Sequence, residues 1–417
     1  MSVLNLYPTV RPTLSFDFVN AGVLDPSVTF TRPTSATYFD ETGILRVANP
    51  NTPRFDFNPS TLAAQGFLIE ESRTNSIRNN TMVGAVAGTP GTLPTNWSRS
   101  ASPTSGISNE IVGTGTESGV TYIDLRFTGT ATATFSFNIA FETTTQVAAS
   151  PSQTWAVSTY VKLTAGVLNS ATFSFTVGEY SSVPAFLRNN FSSTTTPTSA
   201  GLATQRVAYS LTTGASTASI QPQISVNLTN GLTYDFTLRI GLPQLELGAF
   251  ATSVIPTTTT ALTRSTDVAS VNTLSPWYNA AEGTVYAECV LNAFATTQQA
   301  AWRIDDTTDN ERMFVRRNGS TVQYVGIDGG VTQWSLNTGN TVTVGTPFKH
   351  AAAYKVNDIA SAFNGGNILT ATTATLPTVT LMRLGGENGG AYLNGTIRRI
   401  TYYPVRLTNA QLQNLTA

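Results

Sequence analysis

Ionisable side chains are scarce in this chain. Asp, Glu, Lys and Arg make up 11% of its 417 residues, less than half the usual share of roughly 25%. Lysine occurs only at Lys162, Lys349 and Lys355, and the remaining basic residues are arginines scattered along the sequence. With a net charge of −1, the chain has no general electrostatic attraction to nucleic acid or to an anionic membrane surface. A single cysteine, Cys289, excludes an internal disulfide framework. One cysteine and one histidine, His350, cannot supply the four ligands of an ordinary zinc site. No stretch approaches the ~20 apolar residues of a membrane-spanning helix. The opening MSVLNLYPTVRPTLSFDF has neither a basic start nor a long apolar run, so it does not read as a secretory signal. Helical periodicity is missing from almost the whole length.

Thr, Ser, Asn and Gly fill the place of the charges. The composition is nonetheless 41% hydrophobic, with 21 Phe, 14 Tyr and 5 Trp, which is enough to build cores and unlike a disordered chain. The length suits two or three domains. The stretch at 241–268, GLPQLELGAFATSVIPTTTTALTRSTDV, organises the rest. Leu238, Ile240, Leu242, Leu245 and Leu247 close a strand on an apolar pattern, and Pro256 with four threonines predicts an extended connector. Strand-rich blocks lie on both sides of it.

The expected fold is all-β: two antiparallel sandwiches in tandem, a jelly roll and then a lectin-like sandwich, behind an irregular N-terminal segment. The expected boundaries are 1–80 for the segment, 81–255 for the jelly roll, 256–276 for the linker and 277–417 for the second sandwich. Residues 1–80 hold short strands such as 14–18 and 66–69 between turns, too few for a core of their own. They are expected to pack on a partner subunit or on the next domain. Period-2 patterns such as Val157/Thr159/Val161 and Phe173/Phe175/Val177 mark the jelly roll. In the last block Asn318-Gly319 predicts a type I′ hairpin turn. Thr408 predicts the cap of a helix from Asn409 to Leu415, with Leu412 and Leu415 facing inward.

Enzymatic readings find little support in the residue pattern. A glycosidase needs two carboxylates across a cleft. Glu70, Glu71, Asp305, Asp306, Asp309, Glu311 and Glu387 are available, but no spacing among them marks a convergent pair, and Glu70 and Glu71 point to opposite strand faces. One of these two is expected to pair with Arg73 or Arg78. His350 has no G-x-S-x-G stretch to serve and reads as structural, and Cys289 reads as a small buried hydrophobe. Residues 305–310, DDTTDN, offer oxygen ligands for calcium but lack the spacing of a dedicated calcium loop, so an Asx-rich turn stands beside that reading. The glycines of residues 385–390, GGENGG, follow a strand with no helix after them. That excludes a nucleotide-phosphate loop and leaves a flexible loop of the kind on which binding sites sit.

Three stretches resemble bacteriophage tail-fibre and structural proteins. The first comprises residues 35–45, SATYFDETGIL, with PRFD at 53–56 and GFLIEESRTN at 66–75. The second is PQLE at 243–246 with ATS at 251–253 and Ile255-Pro256, which is similar to the end of a carbohydrate-binding-module-like jelly roll in those proteins. The third, YKVND at 354–358 with FNG, LNG, IRRI and YYP further on, looks like a concanavalin A-like or laminin G-like sandwich. The resemblance implies a virion component, often a homotrimer, assembled in the host cytoplasm and exposed afterwards. Such a protein contacts other virion proteins through residues 1–80 and a host-surface glycan through its last domain, and it is not an enzyme. Trp302, Asp305, Asp309, Trp334 and Asn388 are the candidate glycan-binding residues, from their place in the strands and loops of that domain. Trp302 and Trp334 are offered as stacking platforms, against a core reading for both. No cofactor is expected apart from the calcium option. A capsid decoration or head-fibre protein and a polysaccharide depolymerase are the alternatives.

Overall fold

The computed structural model describes residues 7–99, 105–296 and 298–417. Nearly every element is a β-strand, in antiparallel sheets packed as sandwiches. Five strands in the order Arg206–Thr212, Thr154–Val167, Thr233–Leu247, Val120–Thr130 and Ile107–Glu117 make one sheet of an inserted sandwich. Its facing sheet is built on Phe135–Ala140, Ser219–Leu228, Thr172–Tyr180 and Phe186–Phe191. The inward residues of the two sheets meet in one core that includes Phe127, Trp155, Phe173 and Phe236.

The other sandwich is made from both ends of the chain. Its eight-stranded sheet runs Leu369–Ala371, Ile359–Phe363, Phe348–Lys355, Glu282–Leu291, Gly395–Tyr403, Ala64–Ile69, Phe55–Phe57. Leu14–Asp17 also pairs with Gly395–Tyr403. The facing sheet runs Val28–Thr31, Val268–Val271, Leu381–Leu384, Gln299–Asp305, Arg312–Asn318, Thr321–Asp328, Val331–Thr341. Residues 14–69 therefore supply strands to both sheets, and Phe16, Phe18, Phe67 and Ile69 share one core with Trp302, Tyr324, Trp334 and Ile400. The expected packing on the jelly roll is there, with Phe39 and Leu45 against Val120, Tyr160 and Leu242, but the segment also completes the terminal sandwich, which goes beyond that expectation. A short strand with few apolar residues is completed by pairing, and here its partners lie more than 300 residues away.

Residues from the 53–56, 66–75 and 251–256 stretches meet Arg32 and the connector between the two sandwiches. Arg54 donates to Asp267 (2.5 Å) and pairs with Glu70 (2.9 Å), while Arg32 reaches Asp267 (3.1 Å) and Arg264 reaches Glu70 (3.3 Å). All three arginines are buried. Ser253 closes the network with its N–H and hydroxyl on Glu70 (2.8 and 2.6 Å). Nearby, Asn75 bridges the strands by donating to the Ile255 carbonyl and accepting from the Leu245 N–H. The predicted connector is thus a seam: Thr257 is buried against Asn80, and Leu262–Arg264 pairs with Arg73–Asn75. The surrounding guanidiniums hold the Glu70 carboxyl at about 2 against the opposing effect of burial.

Two local expectations are refined. The 312–328 hairpin forms, but Asn318 is its last paired residue, opposite Thr321. Only Gly319 has a positive φ (64°), so the loop is Gly319-Ser320 with the left-handed residue first, as in a II′ turn rather than I′. The C-terminal helix spans Asn409–Thr416, capped by Thr408 in a box with Gln411. It lays Leu412 over Ala351, Ala353, Ala360 and Ala362, small side chains that let it approach the sheet.

Candidate functional site

Period-2 alternation in three neighbouring strands builds a charged face. In Gln299–Asp305, Trp302 and Ile304 enter the core, so Arg303 and Asp305 lie on the other side. In Arg312–Asn318, Met313 and Val315 point inward and leave Arg312, Phe314 and Arg316 on the outer face. In Leu381–Leu384, Met382 and Leu384 are core and Arg383 is outward. The register sets Arg303 opposite both Phe314 and Arg383, which brings four arginines onto one patch.

Carboxylates interleave with them. Asp305 is buried and accepts from Arg303 Nε (2.6 Å), Arg383 Nε (2.9 Å) and the Thr307 N–H (2.6 Å). Asp309, with its side chain 68% exposed, accepts from Arg303 (2.8 Å) and Arg312 (2.5 Å). Asn388 donates to the Thr307 carbonyl (2.9 Å) and ties the 385–390 loop to the 305–310 turn. Glu387 on that loop stands among three guanidiniums at longer range: Arg303 at 3.5 Å, Arg316 at 3.5 Å and Arg312 at 3.7 Å. Arg312 and Arg316 also flank the Phe314 ring, 5.1 and 4.7 Å from its centre. Burial, followed by the nearby charge of Arg303, pulls Arg312 below the usual arginine range.

Of the five expected residues, Asp305 and Asp309 therefore meet at Arg303, and Asn388 joins them through the Thr307 carbonyl. Trp302 and Trp334 do not join them, and their proposed role as stacking platforms is corrected. They are 0% and 3% exposed, in the core against Tyr324, so neither offers a ring face to a ligand. The arginines and Glu387 were missed because they are dispersed in sequence. The available signal was the alternation of Arg303 with Trp302 and of Arg312 and Arg316 with Met313 and Val315, which assigns them a shared outer face.

The calcium option finds no support in this geometry. The Asp305 oxygens are occupied by arginines and an N–H, and Asp306 caps its own turn through Thr308. Among the described residues, no group of three or more His, Cys, Asp or Glu side chains is placed to hold a metal ion. His350 is fully buried beside Ser361 (2.9 Å), and burial lowers its pKa to about 3. Cys289 is buried, and desolvation pushes its thiol up. Glu71 pairs with Arg73 at 2.5 Å, whereas Arg78 pairs with Glu142. A separate cleft of about 480 Å³ is lined by residues including Phe18, Leu24, Tyr38, Phe55 and Phe57, and it shares no residue with the arginine face.

No family model matches the chain, and no curated protein matches its sequence. Solved structures align with about a third of it. The carbohydrate-binding module CBM40 of the Ruminococcus gnavus IT-sialidase, bound to α2,3-sialyllactose, aligns at 16% identity and a TM-score of 0.30, over 33% of this chain and 84% of the module. Domain 4 of an extracellular arabinanase from Geobacillus stearothermophilus, in complex with arabinotriose, aligns at 12% identity and a TM-score of 0.31, over 36% of this chain and 73% of that domain. A Trypanosoma rangeli sialidase aligns at 11% identity and a TM-score of 0.30, over 36% of this chain but only 25% of the sialidase.

Proposed function

We propose that this chain is a structural protein of a bacteriophage tail, in a fibre, spike or baseplate, and that it attaches the particle to a host-surface glycan through the arginine face of its terminal sandwich. The observation that carries the reading is the seam. Two of the three stretches that resemble phage tail proteins meet as Arg54, Glu70 and Ser253 in one buried network, which supports reading them as parts of one unit rather than as separate chance likenesses. Attachment rather than cleavage is favoured because guanidiniums engage the carboxylates of the face, leaving no opposed acid and base. Exposed apolar side chains of the N-terminal segment, including Val23 and Val47, offer contacts to other virion proteins or to further copies of the chain, a homotrimer on the resemblance. In this reading the protein is made in the host cytoplasm and acts on the released virion.

Cryo-electron microscopy of the intact particle tests this. Density for the chain in the tail, with the arginine face outward, is the expected result. Density distributed over the capsid would replace the reading by shell decoration, and clearing of host polysaccharide by the purified protein would replace it by depolymerase activity.

A further inference from the structure

We propose that Glu387 fills an anion site, and that the ligand taken there is a saccharide bearing a carboxylate, whose acid group displaces the Glu387 side chain. The inference rests on the glycan-attachment reading of this face.

Charge-assisted hydrogen bonds between guanidinium and carboxylate settle at about 2.7–2.9 Å when the geometry allows. Asp305 and Asp309 reach 2.5–2.9 Å with their arginines. Glu387 stands between three arginines and comes no closer than 3.5 Å to any of them. With it the cluster counts three carboxylates against four arginines, so the face keeps one positive charge and Glu387 offsets part of it without a close contact. The Nε–H groups of Arg312 and Arg316 are buried and without a hydrogen-bond acceptor. Arg316 has Glu387 as its ion-pair partner at that long distance. Planar guanidiniums with unused donors fit a carboxylate in a fork, and Arg312 and Arg316 both rest on the Phe314 ring.

Glu387 is also carried on a segment able to yield. Gly385, Gly386, Gly389 and Gly390 surround it, and Gly385 and Gly389 have φ of 68° and 78°. The loop is closed on itself by the Glu387 N–H to the Gly390 carbonyl (2.9 Å) and held outside by the Asn388 contact to Thr307. Gly385 anchors the loop, buried against Ile69 with backbone bonds to Ala301 and Leu393, so the part able to move is residues 387–390, whose displacement leaves that packing intact. A neutral sugar would leave the guanidinium donors without a negative partner and would have no charge with which to displace Glu387. An acidic sugar supplies both the fork acceptor and the charge.

The test titrates the full chain with oligogalacturonate and with sialyllactose, each against its methyl ester, at two salt concentrations. The two acids separate a uronate from a sialate source of the same group. At least one acid is expected to bind while its ester does not, with binding weakened by salt. Glu387→Gln, which keeps size and removes the competing charge, is expected to tighten binding roughly tenfold, and Arg316→Gln to weaken it by at least as much. An unchanged melting temperature in Glu387→Gln confirms that the fold is retained. If ester and acid bind alike, or if Glu387→Gln leaves affinity unchanged, the anion site is wrong while glycan attachment stands. If neither acid binds the wild type or Glu387→Gln, the inference also falls. Neutral-glycan binding, or glycan-dependent adsorption of the particle, then decides whether the attachment reading survives it.

Discussion

Two arginine clusters in this molecule use the same side chains under opposite conditions. At the seam Arg32, Arg54 and Arg264 surround Asp267 and Glu70, all with side chains 0–6% exposed, and the close pairs lie at 2.5–3.3 Å. On the outer face of the terminal sandwich Arg303, Arg312, Arg316 and Arg383 surround Asp305, Asp309 and Glu387, where Asp309 is largely exposed and Glu387 is held at 3.5–3.7 Å. The first cluster draws its charges from the N-terminal segment and the connector and is shut off from solvent, with Ser253 and backbone carbonyls among its partners. The second draws from three strands and two loops and is reached by solvent at Arg312, Arg316 and Asp309. Both leave guanidinium donors without an acceptor, Arg54 and Arg264 at the seam and Arg312 and Arg316 on the face. Solvent access and the long Glu387 contacts, rather than charge count or unused donors, separate the binding surface from the structural network. Removing one partner of a fully buried pair leaves an uncompensated charge, so Asp267→Ala should lower stability by about 3–5 kcal/mol. Chemical denaturation measures it, and a loss below ~1 kcal/mol would remove the distinction between the clusters.

Three groups set how stability responds to acid, and they do not act in one direction. His350 stays neutral in the fold down to about 3, whereas an unfolded histidine titrates near 6.5, so the unfolded chain binds more protons between these values and stability falls as pH falls. Asp56 acts in the opposite direction: burial raises it to about 6, so between 6 and 3.8 the folded chain binds more protons and stability rises as pH falls. The two effects largely offset each other down to about pH 4. Glu70, held at about 2, then contributes a loss that develops from about 4.5 downward. Thermal melts from pH 7 to 3 should therefore be nearly flat above about 4.5 and fall below it. In Asp56→Asn the fall should begin near 6.5. A variant whose profile matched the wild type would show that Asp56 does not titrate in this window.

The sequence disclosed strand faces better than it disclosed partners. Alternation placed most strands of the two sandwiches and the 312–328 hairpin close to where they lie, the cap residue Thr408 placed the C-terminal helix, and Val268–Val271 was hidden in the expected linker. Alternation also contained the answer to the tryptophans, because Trp302 and Asp305 are three residues apart in one strand and so fall on opposite faces. Placing both in one site required ignoring that parity. The pairing of Leu14–Asp17 and Ala64–Ile69 with Gly395–Tyr403 is another matter. No local pattern specifies which distant edge a short strand completes, and the same applies to arginines brought together by register alone.

The smallest expected effect is the most discriminating. Asp309 accepts from Arg303 and Arg312, yet its side chain is mostly in water, where such pairs contribute roughly 0–1 kcal/mol. Arg303 would still hold Asp305 and the Thr308 carbonyl after Asp309→Ala, and Arg312 would still face Glu387. Stability should change by less than ~0.5 kcal/mol, against several for the equivalent truncation at Asp267. Denaturation of the two variants side by side measures the contrast directly. If Asp309→Ala lost more than ~1.5 kcal/mol, well above the exposed-pair range, the outer arginines would be as closed a network as the seam, and no part of that face would be free to receive a ligand.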